Sequence, residues 1–298
     1  MIGSAFLDGR DHYERVFDGR VDNTHPDAFT HTACLGDDDG SIEVVAVVTP
    51  SPDYEIREAR FRVLSGSADP SLADAVTTLA GVGMVGGFTR RAREAVGERR
   101  GGSQVVDAAI EIARLARQVA KLPPARAARA AGGDARACWE LDVSGWIDLP
   151  DSCFTYTAAG RALFDTRTVT AQMRPELYAP PLGLVGVFQR RKVARLEREG
   201  ARLTLRHSMH DDVHGFEITY EVDAESGRIL RAESSTPRLP YMGICSEPQQ
   251  KIASLVGLRI DGELRKSIQT LLGGSTGCAQ LYDLTSDLLK LLRLEGQA

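Results

Sequence analysis

Residues 206–218, RHSMHDDVHGFEI, set three imidazoles, His207, His210 and His214, among two carboxylates, Asp211 and Asp212. Such a set supports two chemistries. Imidazoles and carboxylates that converge bind a divalent metal, whereas a single imidazole, titrating near neutrality, serves as general acid or base. HxxH and HxxxH spacings lack the helical HExxH pattern that puts two imidazoles on one face. A solvated acidic turn at 209–214, between strands at 203–208 and 215–222, is therefore expected, with no metal bound. His214 is the expected proton-transfer group.

The thiols suggest a second chemistry. Five cysteines, Cys34, Cys138, Cys153, Cys245 and Cys278, are scattered without a CxxC pair, so free thiols are expected. Cys278 opens the last expected helix, where unpaired N–H groups and the macrodipole favour a thiolate, which makes it a candidate nucleophile. Cys245 lies in STPRLPYMGICSEPQ (235–249), a proline-rich loop with Tyr241. That loop either lines a cleft with His214 or only joins a strand to a helix capped by Ser246. Trp139, Trp146 and Tyr156 fall in an aromatic segment that would wall a pocket or cover a sheet edge, and Arg167 nearby could grip a carboxylate.

The elements that must position these groups are legible from periodicity. FEITYEV (216–222) alternates with period two, ESG supplies a turn and RILRAESS alternates again, which predicts a hairpin. In GELRKSIQTLLGG the residues Leu264, Ile268, Leu271 and Leu272 share one helical face, stopped by Gly273. A final helix over about 277–293 carries Leu281, Leu284, Leu288, Leu291 and Leu292, with Ser275 or Thr276 as the expected N-cap.

The same order recurs upstream. Residues 79–118 slide over 255–294 without a gap, and nine of the forty positions are identical, among them Gly81/Gly257, Gly97/Gly273, Gln104/Gln280 and Asp107/Asp283. With small gaps the register extends to IEVVAVVTPSPDYEIREARF (42–61) over 216–235. The expected fold is therefore α+β: two tandem copies of a β-hairpin or small sheet plus three helices, related by a pseudo-two-fold axis. Boundaries are expected at 1–121 for a degenerate first copy, 122–167 for an aromatic-rich connecting segment and 168–298 for the second copy.

Composition excludes several classes. A net charge of −5 leaves no basic surplus for a nucleic-acid partner. The opening MIGSAFLDGR carries an acidic residue and no long apolar stretch, and no window approaches the length of a membrane span. A cytoplasmic protein of 298 residues, a monomeric pseudo-dimer or a homodimer, is expected. GVGMVGG (81–87) follows a helix instead of a strand, which argues against a dinucleotide site, so no cofactor is expected.

His214 at the head of a strand, Cys245 after a loop, LVGLRIDG (255–262) and GGSTGCAQL (273–281) together resemble a bacterial family catalogued as domain of unknown function 2889. The likeness runs from His214 to Leu292 and extends weakly to the first copy. Gln280 departs from the family's usual histidine. The resemblance implies no activity. From the residues, the expected function is a cofactor-independent enzyme acting on a small organic acid or acyl thioester in a pocket between the repeats. His214, Cys245 and Cys278 would be catalytic, and Tyr241, Trp139, Trp146, Tyr156 and Arg167 would bind substrate. The competing expectation is a non-catalytic ligand-binding or accessory subunit of a metabolic complex.

Overall fold

The computed structural model describes residues 9–292. Four strands come first, β1 (His12–Asp22), β2 (Phe29–Asp37), β3 (Gly40–Val48) and β4 (Ile56–Ser65), followed by helices α1 (Leu72–Thr77), α2 (Phe88–Val96) and α3 (Gly102–Ala116). Short elements α4 (Pro124–Ala127), α5 (Ala135–Gly145), α6 (Ala158–Ala162), β5 (Thr170–Ala171) and α7 (Pro175–Tyr178) make up the middle of the chain. Then β6 (Phe188–Glu199), β7 (Arg202–Asp211), β8 (Gly215–Asp223), β9 (Ile229–Arg238) and the two-residue β10 (Tyr241–Met242) lead through a 3-10 turn (Glu247–Leu255) to α8 (Leu264–Leu272) and α9 (Ala279–Leu288). Strands and helices segregate along the chain, so the fold is α+β.

Two compact units share the chain, and both are discontinuous. The amino-terminal unit takes Val16–Asp148 and Met173–Arg191; the carboxy-terminal unit takes the described residues up to Arg15, Leu149–Gln172 and Lys192 onward. The linear boundaries expected at 121 and 167 do not coincide with these limits: residues 122–148 fall in the amino-terminal unit and 149–172 in the carboxy-terminal one, and β1 and β6 each contribute to both. Residues 1–8 and Arg293, which entered the sequence reading, lie outside the described residues.

In the amino-terminal unit the strand order is β4-β3-β2-β1, with the first residues of β6 beyond β1. β2 and β3 pair antiparallel from Phe29↔Val48 to Asp37↔Gly40. Alternation turns Phe29, Ala33 and Leu35 inward, where α3 covers β2 and β3 with Val105, Ala109 and Ile112. The hairpin turn needs glycine at position 40: its φ is +150°, and a Cβ there would lie 2.7 Å from the Ser65 carbonyl oxygen. α2 buries Phe88, Ala92 and Val96 and leaves Arg90, Arg91 and Arg93 in solvent.

The carboxy-terminal unit has the order β9-β8-β7-β6, with the first residues of β1 beside β6. Its tertiary hydrogen bonds match those of the other unit. Ile56 N–H donates to Val82 O and Gly81 N–H to Ile56 O, at 3.0 and 2.7 Å; Ile229 N–H donates to Leu258 O and Gly257 N–H to Ile229 O, at 2.9 and 2.8 Å. Gly81 and Gly257 both have positive φ, +79° and +90°. α2 and α8 begin 176 positions apart and end 176 positions apart. The β2–β3 and β7–β8 hairpins correspond at a spacing of 174, so Asp37 matches Asp211 and Gly40 matches His214. In both turns the aspartate Oδ1 accepts a backbone N–H two residues on, from Asp39 at 3.0 Å and from Val213 at 2.7 Å.

Each unit holds four long strands, a small sheet and not a lone hairpin among the two forms expected. The last helix differs from expectation: α9 starts at Ala279 with Cys278, not Ser275 or Thr276, as its N-cap. Gly277 and Gly273 hold residues 274–276 in a separate 3-10 turn, which leaves Cys278 as the last residue with extended backbone before the helix.

His31 sits on the inward face of β2, 1% exposed, edge-on to Phe29 at 6.3 Å. Neither ring nitrogen makes a well-formed hydrogen bond. Burial pushes its pKa down from 6.5 to about 4, against a smaller opposing pull from the Phe29 backbone. The unfolded chain therefore binds the extra proton between those two values. The stability that comes from keeping this ring neutral is complete above about pH 6.5 and is lost as pH falls through about 4. About 2 kcal/mol should be gone by pH 5. Urea midpoints of the wild type and His31→Phe at pH 7 and pH 5 check this. The variant should lack that share of the acid destabilisation, and parallel profiles would show that His31 is not its source.

Candidate functional site

The β7–β8 turn builds the most organised polar group of the carboxy-terminal unit. β7 continues through Asp211, so the turn is shorter than the expected 209–214 loop, and its ends are tied by Asp211 N–H donating to His214 O at 2.9 Å. Asp211 Oδ1 accepts from Val213 N–H and His214 N–H at 2.7 and 2.6 Å. The same carboxylate lies 3.1 and 3.2 Å, by its two oxygens, from His214 Nδ1. Its side chain is fully buried, and that of His214 is 8% exposed. A carboxylate accepting from Nδ1–H fixes the tautomer and leaves the lone pair on Nε2. Phe216, two residues on and with its ring centroid 6.3 Å away, flanks the imidazole.

The other histidines do not join this group. His207 and His210 are three residues apart on one strand and so project to opposite faces. His207 is buried, with Nδ1 2.9 Å from Leu284 O, while His210 is exposed, with Nε2 2.6 Å from Glu217 Oε1. Among the described residues no three His, Cys, Asp or Glu side chains are arranged to hold a metal ion.

Cys245, Cys278, Tyr241 and Tyr156 do come together, in a separate packed corner of the carboxy-terminal unit. Cys245 Sγ lies 3.0 Å from Thr155 Oγ1, and its backbone N–H donates to Tyr241 O at 2.9 Å. Gln249 Nε2 donates to Cys245 O at 3.0 Å, and Phe154 N–H donates to Gly277 O at 2.9 Å. The Tyr241 ring meets Tyr156 and Phe164 edge-on at 6.3 and 6.2 Å. Cys278 caps α9, accepting from Leu281 N–H at 3.5 Å. Burial nevertheless raises its pKa, outweighing the helix-terminus donors, opposite to the thiolate expected there. Burial also pushes the Cys245 thiol up, and it pushes Cys153 up to about 11 with a smaller contribution from Cys278. Burial thus favours the neutral form of these sulfurs, and no hydrogen bond or ion pair joins His214 to Cys245 or Cys278 among the described residues.

Three of the expected binding residues are already engaged. Arg167 pairs with Glu247 and donates to Gly243 O at 3.0 Å. Trp139 and Trp146 belong to the amino-terminal unit and are core: Trp146 packs edge-on against Tyr178 at 5.6 Å, whose hydroxyl donates to Asp142 Oδ1 at 2.6 Å. Arg238, which the residue pattern did not single out, is close to the imidazole turn. It ends β9 opposite Gly215, and its Nη2 donates to His214 O at 3.2 Å.

Residues 188–292 match the family described as "Protein of unknown function (DUF2889)". The matched span begins with β6 and contains Asp211, His214, Arg238, Cys245 and Cys278, which supports the likeness carried by the motifs from His214 onward. No curated protein and no solved structure matches the chain. No helix of the described residues is long and apolar enough to cross a membrane.

Proposed function

We propose that the chain is a cofactor-independent enzyme that moves a proton on a small organic acid or acyl thioester, with His214 as the acid–base group and Asp211 as its positioning residue. The observation that carries this reading is the buried Asp211 carboxylate within 3.2 Å of His214 Nδ1. Nε2 then accepts a proton, and the carboxylate stabilises the imidazolium that forms. Proton transfer of this kind serves lyase, isomerase and hydrolase reactions alike. Cys245 and Cys278, whose neutral form burial favours, pack a separate corner and take no part in the proton transfer.

The reading extends to the chain's history. The matching turns, glycines and hydrogen bonds support two tandem copies of one module, of which only the second keeps the site. Asp37 survives where the other unit has Asp211, but Gly40 stands at the position of His214. Solvent exchange provides the test. Incubated in D2O with a panel of small carboxylic acids and their acyl thioesters, the wild type should speed deuterium incorporation next to the carbonyl, and Cys245→Ala should do so equally. Exchange at the buffer rate for every compound, with binding retained, would instead favour the non-catalytic ligand-binding role.

A further inference from the structure

The geometry points to Arg238 as a carboxylate-binding residue, which makes the ligand a small carboxylic acid held by its carboxylate beside His214. The assignment of that ligand as a substrate rests on the acid–base reading of His214; the anion site itself does not.

Among the described residues Arg238 has no carboxylate partner, and its guanidinium donates from Nη2 to His214 O. Arg167, Arg206 and Arg231, by contrast, are paired with Glu247, with Glu197, and with Glu221 and Glu233. Arg238 also buries its Nε without any acceptor. A desolvated donor on a permanent cation is unfavourable unless an acceptor reaches it. A guanidinium has five N–H donors in a planar fork, and a carboxylate satisfies Nε–H and an adjacent Nη–H through two parallel bonds.

The surroundings favour an anion of this size. The side chain is half-buried, so the ion pair forms with less screening than at an open surface. Its anchor on the His214 carbonyl fixes the cation to the same turn that presents the imidazole. Asp211 of that turn is already committed to two backbone N–H groups and to His214 Nδ1. The corresponding position of the amino-terminal unit is Ser65, whose hydroxyl lies 2.8 Å from that of Ser41, so the cation is missing there together with the imidazole.

Propionate titrated into the full chain, followed by the NMR shifts of the His214 ring, tests the inference. The wild type should saturate. Arg238→Gln should bind at least about tenfold more weakly, and Arg238→Lys, which keeps the charge and can still reach the His214 carbonyl, should fall between them. His214→Gln, followed by the backbone amide shifts of Gly215 and Phe216, should bind propionate within about twofold of the wild type. If Arg238→Gln is not folded, Arg238→Lys decides, because a weakened but saturable response requires the fork. Wild-type affinity in both Arg238 variants, or no saturation in the wild type, would overturn the site. Binding through Arg238 without any deuterium exchange would leave the carboxylate site standing and remove the acid–base function.

Discussion

His214→Gln should lower the exchange rate by about 10²–10⁴-fold, the range typical for loss of a positioned general acid or base. Glutamine is close to histidine in volume, and its amide N–H can still donate to Asp211, so the turn should persist. Asp211 would keep its bonds to Val213 and His214 backbone N–H groups, which do not depend on the side chain at 214. Circular dichroism and the melting temperature separate a chemical defect from a folding defect. Asp211→Asn should be slow for a different reason: an amide can offer N–H to Nδ1 and select the wrong tautomer. A His214→Gln enzyme that turns over at the wild-type rate would end the acid–base assignment.

Lys192→Met should destabilise the chain by about 3 kcal/mol, the low end of the range for breaking a buried ion pair. Lys192 Nζ donates to Asp287 Oδ2 at 2.6 Å, with side chains 6% and 9% exposed. Removing the ammonium strands the buried carboxylate of Asp287 on α9, whose desolvation is then less fully offset. Lys290 lies 2.8 Å from Oδ1 of the same aspartate and limits the loss. The paired replacement Lys192→Met with Asp287→Leu should recover most of it, because two apolar groups carry no such penalty. Urea unfolding of the three variants measures the coupling. Simple additivity of the single losses would show that the pair does not act as a unit.

Lys192 also explains why part of the fold was not legible in the sequence. β6 turns Phe188, Arg190, Lys192, Ala194 and Leu196 inward, so two charged residues interrupt the apolar alternation that marks a strand. FEITYEV, whose inward positions are all apolar, was readable as β8, and the leucine stripe of α8 was readable together with its stop at Gly273. The cap of α9 was missed because Ser275 and Thr276 have the better capping side chains, while the backbone around Gly277 decides the helix start. The site divided in the same way. His214 was legible from its residue type and its place at a strand head. Asp211 was visible only as one of two adjacent acids, since its role depends on a turn three residues tighter than the spacing suggested. Arg238 gave no local signal: it reaches His214 through the β8–β9 register, a tertiary relation between residues 24 positions apart. Cys278 shows the converse, a local helix-terminus signal reversed by burial.

The tautomer of neutral His214 tests the central claim most directly, and ring 15N shifts recorded at alkaline pH report it without any ligand. The geometry predicts a proton on Nδ1, shared with Asp211, and an unprotonated Nε2. A proton on Nε2, or a tautomer unchanged by Asp211→Asn, would contradict the account.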